Sequence, residues 1–353
     1  MTNDADAPSS PSASAPTAPS ARGGPGAAWR DLVATHQRPH RGRAIRQLFD
    51  TVGSYVAAWF LMYLALPVSW WLALPLAALA GGLLVRVFII FHDCGHGSFF
   101  RSNRANAIWG AITGLLTFTP YLHWRGEHAI HHGTAGDLDR RGIGDIWTMT
   151  VREYLEASRW RRFSYRLSRN PIVLFVVAPL VMFLWLHRIT RVGCPTRERW
   201  SVYLTNLTLA GAVFGMCCLF GTVEFLVLQL VVLMVGGAAG VWLFYLQHQF
   251  EDAYWERGAD WNYERAALQG SSFLRLPRVL QWFSGNIGFH HIHHLSPRIP
   301  NYNLERCHAS DPLFHGVRPL TIRQGLRALG LKLWCESRKK LVGFRALRQR
   351  QLG

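Results

Sequence analysis

The sequence predicts an all-α integral membrane protein, with four transmembrane helices in two hairpins, interfacial helices between them and a cytoplasmic histidine-rich cap. Three observations carry that expectation. Residues 51–91 contain one formal charge, Arg86, and residues 201–250 contain one, Glu224. Nine of the 16 histidines fall in three short clusters, at 92–96, 128–132 and 290–294. The 38 Lys and Arg outnumber the 21 Asp and Glu, for a formal charge of +17, and they gather outside the apolar blocks.

As helix at about 1.5 Å per residue, the two apolar blocks are roughly 60 and 75 Å long, each enough for two crossings of a hydrocarbon core about 30 Å thick. The first block breaks at Pro67-Val-Ser-Trp-Trp71, which gives spans at 51–66 and 70–91. The second turns at Gly221-Thr222, which gives spans at 203–220 and 223–247. Neither hairpin tip carries Lys or Arg while the feet carry many, so the positive-inside bias puts the feet in the cytoplasm. The last span, at roughly 39 Å, outruns the hydrocarbon core and carries His248 into the cytoplasm. Gly236, Gly237 and Gly240 on that span permit close helix approach.

The remaining segments follow in order. Residues 1–28 are low in large apolar side chains and lack the continuous apolar run of a signal peptide, so they read as a disordered tail. Residues 29–50 form a basic juxtamembrane segment, 51–320 the membrane domain, and 321–353 a basic C-terminal tail. Residues 105–118 are too short to cross and read as interfacial. Residues 171–186 read the same way: if they spanned, Arg188, Arg191, Arg197 and Arg199 would lie outside and the third cluster would face away from the first two. Because the arginines flank apolar blocks, an anionic leaflet accounts for them better than nucleic acid does. The six cysteines form no CxxC pair and no disulfide-like framework, which points to a reducing side, and no chemistry attaches to them.

On a helix, residues at i, i+3 and i+4 share a face. His92 and His96 have the i, i+4 spacing, while His128, His131, His132 and His290, His293, His294 have the full pattern. Eight imidazoles on one side of a membrane exceed what one zinc takes and suit two metals. Imidazole alone leaves iron, copper, zinc and nickel open. Asp93, Glu127, Asp137, Asp139 and Asp145 are expected to accept from imidazole N–H groups, although for each singly a solvated charge or an arginine partner serves equally well. His36, His40, His187 and His315 read as polar interface residues, His123 and His291 are not first choices, and His308 is open.

The three boxes are His92-Asp-Cys-Gly-His96 followed by Gly-Ser-Phe-Phe, His128-Ala-Ile-His131-His132, and His290–His294 followed by Leu-Ser-Pro-Arg-Ile-Pro-Asn-Tyr. Over residues 50–320 this pattern resembles the membrane fatty acid desaturases, and within them the acyl-lipid omega-6 (delta-12) branch. The resemblance implies two iron ions under a cytoplasmic cap, an acyl chain in a bent internal tunnel, and a ninth ligand at the end of the fourth span, where His248 stands. His92, His96, His128, His131, His132, His248, His290, His293 and His294 then form the catalytic and metal-binding set. It also implies an O₂-dependent desaturation of a lipid acyl chain in a bacterial inner membrane, with the boxes facing the cytoplasm. No His-Pro-Gly-Gly segment is present, so the expected electron donor is a separate ferredoxin or cytochrome b5 type protein. The nearest rival is a lipid or alkane hydroxylase or ketolase of the same iron superfamily. A metal-transporting membrane protein, the rival of another class, predicts ionisable residues along the spans, where only Arg86 and Glu224 occur.

Overall fold

The computed structural model describes residues 28–348; the expected disordered tail, apart from Ala28, and the last residues of the basic C-terminal segment lie outside them. The elements that build the site are α1 (Arg41–Ala65), α2 (Trp70–His96), α3 (Asn103–Leu116), α4 (Tyr121–Thr134), α5 (Arg159–Ser168), α6 (Val173–Arg188), α7 (Thr196–Phe220), α8 (Thr222–His248), α9 (Tyr263–Gly270), α10 (His290–Leu295) and α11 (Asn301–Ser310). Four of them, α1, α2, α7 and α8, are long and apolar enough to cross a membrane. Three extend beyond the apolar blocks that predicted them, α7 by starting at Thr196. α1 begins inside the basic segment at Arg41, and α2 continues through the first histidine cluster.

Local chemistry sets the ends of α2. The Ser69 side chain accepts from the Trp71 N–H at its start, and Gly97 stops it in the left-handed region at φ 69°. The helix therefore ends at His96, which keeps His92 and His96 one turn apart on a single face. α7 leaves most of its apolar surface uncovered by protein, with Leu207 73% and Phe214 72% exposed, as a helix facing hydrocarbon would.

Helices α2 and α8 meet at a glycine crossing. A Cβ on Gly81 would stand 2.7 Å from the Val235 Cβ, and one on Gly236 would stand 2.9 Å from the Gly81 carbonyl oxygen. Gly237 instead admits Pro179 of α6, at 2.7 Å from its Cβ position, while Gly240 has nothing within 4 Å and serves no close approach. Since both helices run from this crossing to a histidine-bearing end, the crossing brings His92, His96 and His248 together. Arg86, the one charge in the first block, is buried but satisfied. Its Nε donates to Thr51 Oγ1 at 3.0 Å, its guanidinium also donates to the Trp282 carbonyl, and it lies 4.2 Å from the Trp282 ring centroid.

Long-range contacts tie together the segments outside the four long helices. Arg169, 1% exposed, donates to Gln249 Oε1 at 2.8 Å and to the Leu331 carbonyl at 3.1 Å, joining the chain after α5 to the end of α8 and to the C-terminal segment. The segment from 321, expected as a tail, contributes two strands. Leu333–Cys335 pairs in parallel with Met149–Thr150 and antiparallel with Lys340–Val342, and Trp334 is 1% exposed between them. Its lysines find partners: Lys339 reaches Glu256 at 2.5 Å and Lys340 reaches Glu251 at 3.1 Å.

Candidate metal centre

Four elements deliver the nine predicted histidines to one place. His92 and His96 come from the end of α2, His128, His131 and His132 from α4, His248 from the last residue of α8, and His290, His293 and His294 from α10. His96 and His128 are partly buried and the other seven are buried. The donor atoms form two sets, each within 4.8 Å: His92, His96, His128, His132 and His293 in one, His131, His248 and His294 in the other. His290 belongs to neither set by that distance, but its Nε2 is 3.0 Å from Nε2 of His248 and its ring centroid is 4.5 Å from that of His294. It stands beside the smaller set.

The Nε2 atoms converge. Those of His96 and His128 lie 3.1 Å apart, of His128 and His132 3.1 Å, and of His132 and His293 3.0 Å. The outward nitrogens of three rings are held by acceptors. His92 Nδ1 lies 3.1 Å from Asp93 Oδ1, His131 Nδ1 lies 2.7 Å from Asp145 Oδ1, and His248 Nδ1 lies 3.3 Å from the Gly270 carbonyl. An acceptor on Nδ1 fixes the proton there and leaves Nε2 as a lone pair turned inward, the form a metal requires. His131 Nε2 and His294 Nε2 are buried with no protein partner. Burial holds the imidazoles of His128, His132, His290, His293 and His294 well below their usual pKa, so they are neutral and ready to ligate. A buried, two-part, all-imidazole set, with lone pairs turned inward at His92, His131 and His248, fits a pair of metal ions.

The five acids separate into different roles. Asp93 and Asp145 orient imidazoles, as expected. Asp137 instead pairs with Arg140 at 2.5 Å, and Asp139 pairs with Arg257 at 2.5 Å. Glu127 lies 3.8 Å from His123 and 3.9 Å from Arg191. Near it, His123, Cys194 and Glu198 also bring donor atoms within 4.8 Å. Yet His123 Nε2 already accepts from the Arg191 backbone N–H at 3.1 Å. A neutral ring then carries its proton on Nδ1, so it presents a donor and not a lone pair to this group. At His123 the group therefore lacks the inward lone pair that the nine-histidine set offers.

Three parts of the site have roles that the sequence reading did not assign, although Asn301 lies in the run that follows the third box. Trp124 stacks on His128 with centroids 4.3 Å apart and planes at 19°. Gly144, at φ 72°, lets the 142–145 loop pass over His131, where a Cβ would stand 3.0 Å from the His131 Cβ, and so delivers Asp145. Asn301 donates from its backbone N and its Nδ2 to Asp93 Oδ2, at 2.6 and 2.8 Å, which links the first box to the start of α11.

Long apolar helices that end in a buried, two-part histidine cluster define a membrane-type metalloenzyme. The chain belongs to the fatty acid desaturase family. The family model "Fatty acid desaturase" matches residues 69–319. The chain is 46% identical over 316 residues to a fatty acid desaturase of Bacillus subtilis (strain 168), covering 90% of each protein. It is 27% identical over 285 residues to an sn-1 oleoyl-lipid 12-desaturase of a Picosynechococcus species, covering 76% of each. It is also 27% identical over 262 residues to a chloroplastic sn-2 acyl-lipid omega-3 desaturase (ferredoxin) of Helianthus annuus, covering 69% of this chain and 56% of that protein.

Proposed function

We propose that the chain introduces a double bond into the acyl chain of a membrane lipid, using O₂ and electrons from a separate protein at two iron ions held by the nine histidines. The observation that carries this reading is the division of one buried imidazole set into two groups on a family member's fold. The iron pair supplies the O₂ activation needed to remove hydrogen from an unactivated methylene. The protein does the rest. Asp93, Asp145 and the Gly270 carbonyl fix ring tautomers and angles, and the glycine crossing fixes the distance between the ends of α2 and α8.

Expression in a host, followed by gas chromatography with mass spectrometry of its lipids, tests the reaction. New unsaturation at one carbon is the expected result. New oxygenated lipids would assign the chain to the hydroxylases of the same superfamily.

For topology, the reading is two hairpins with both tips outside and the cap in the cytoplasm, in a bacterial inner membrane. Helices α5 and α6 could together make a fifth crossing, but they are bent by 65°. Reading them as flat at the interface keeps the Arg-rich flanks of α6 on one side with the boxes. Reporters fused at Thr196 and Gly221 are expected to be cytoplasmic and external respectively, and an external reporter at 196 overturns the flat helix.

A further inference from the structure

Resting on that reading, we propose that a small acidic one-electron carrier protein, of the iron–sulfur class, docks on the basic surface formed by residues 298–327, directly over the third box. Three independent features converge there.

The first is charge. Between 298 and 327 the chain carries Arg298, Arg306, Arg318, Arg323 and Arg327, all exposed, against the acids Glu305 and Asp311. Among the described residues none of these arginines is in a salt bridge with a carboxylate, whereas Arg140, Arg141, Arg152 and Arg257 each are. Positive charge left unpaired on one face steers an oppositely charged partner and raises its association rate.

The second is shape. Arg318 and Arg327 line one side of an open cavity of ≈ 820 Å³ with Leu313 and Gln324, and Ser271 and Ser272 line it too; Glu251, which pairs with Lys340 at 3.1 Å, and Asp252 are the acids on its rim. Both serine hydroxyls are buried without a protein partner. The segment carrying them also holds the metal centre from outside: Gly270 accepts from His248 Nδ1, and the Ser272 carbonyl accepts from the His291 N–H at 3.3 Å. One layer of main chain therefore separates the cavity from the histidine set.

The third is a column of rings with no role in the metal set. His315 is exposed, and its ring centroid lies 5.2 Å from that of His308. His308 Nδ1 is 3.2 Å from Nε2 of His291, which follows His290 in the chain. Phe273 and Phe289 stack on each other at 4.9 Å and flank His308 at 4.6 and 5.2 Å. This packing leaves no solvent gap between the surface at His315 and the third box, and electron transfer rates fall steeply with any such gap. Each turnover takes two electrons, delivered singly by two reduced carriers, with two protons and one O₂. The acyl chain gives up two hydrogens and two waters leave, so atoms and charges balance.

The test uses the full chain, iron-loaded and reconstituted in lipid, mixed without oxygen with a reduced plant-type ferredoxin, while reduction by dithionite is followed in parallel. The double charge reversal Arg318→Glu with Arg327→Glu is expected to lower the second-order rate of reduction by ferredoxin at least tenfold and to flatten its salt dependence. Reduction by dithionite, and the single turnover of the pre-reduced protein on admitting O₂, should stay at their unsubstituted values. His308→Leu should lower the limiting rate at saturating ferredoxin and leave the salt dependence intact. Arg159→Glu with Arg161→Glu on α5 serves as the control surface. The proposal is overturned if ferredoxin reduces the 318/327 variant at full rate, if the α5 variant is the slow one, if dithionite and ferredoxin slow together, or if ferredoxin fails to reduce the unsubstituted protein. A pre-reduced protein that admits O₂ yet desaturates nothing refutes the proposed function instead.

Discussion

Replacing His131 by alanine is expected to abolish desaturation and to lower bound iron while the protein still reaches the membrane. His131 is one of three donors in the smaller set, its Nε2 is buried with no protein partner, and its Nδ1 is fixed by Asp145 at 2.7 Å. Alanine removes a ligand from a set that has none to spare. It also leaves the Asp145 carboxylate with only the Gly142 N–H, at 3.1 Å, from that side of the loop. The apolar helices that drive insertion do not include α4, so the amount of protein in the membrane fraction should hold. Fatty acid analysis, iron per chain and membrane yield are the three measurements. Full activity at normal iron content would remove His131 from the site.

The histidines were legible because a metal demands a fixed residue type at a fixed spacing, and a helix turns that spacing into a face. His96 and His132 occupy the expected turns of α2 and α4 for that reason. The spans were legible too, since a continuous apolar run has few other uses. His248 was readable in height from helix length, but nothing local marks it as part of the set. What was not legible depends on contacts between distant segments. Nothing near Asp93 announces that Asn301, 208 residues away, will bond to it, or that Asp145 and not Asp139 will meet a ring. The two strands after residue 332 were hidden for a related reason: each is three residues long, and their partner Met149–Thr150 lies in a different part of the chain. Basic composition suggested a tail there, whereas pairing with Glu251 and Glu256 consumes two of its lysines.

The same sorting of acids yields the second large expected effect. Asp93 is 1% exposed and accepts from both sides, with Oδ1 toward His92 Nδ1 and Oδ2 toward the two Asn301 donors. Asp93→Asn keeps the volume but turns one acceptor into an N–H₂ donor facing another donor. A buried donor left without an acceptor costs on the order of 1–3 kcal/mol. If the amide turns its nitrogen toward His92, the ring loses the group that holds its proton on Nδ1. If the nitrogen faces Asn301 instead, the start of α11 loosens from the first box. Either orientation should weaken metal binding by about 10–100-fold, the range seen when groups supporting metal ligands are removed. Iron content and activity should therefore fall together at limiting iron and recover in part when iron is raised, which a mere unfolding defect would not show. Asp139→Asn is the matched control. Its partner Arg257 sits on the surface and also holds Glu336 at 3.0 Å, so iron content and activity should stay unchanged. Equal losses in the two variants would mean that the outer acceptors do not act through the rings they touch.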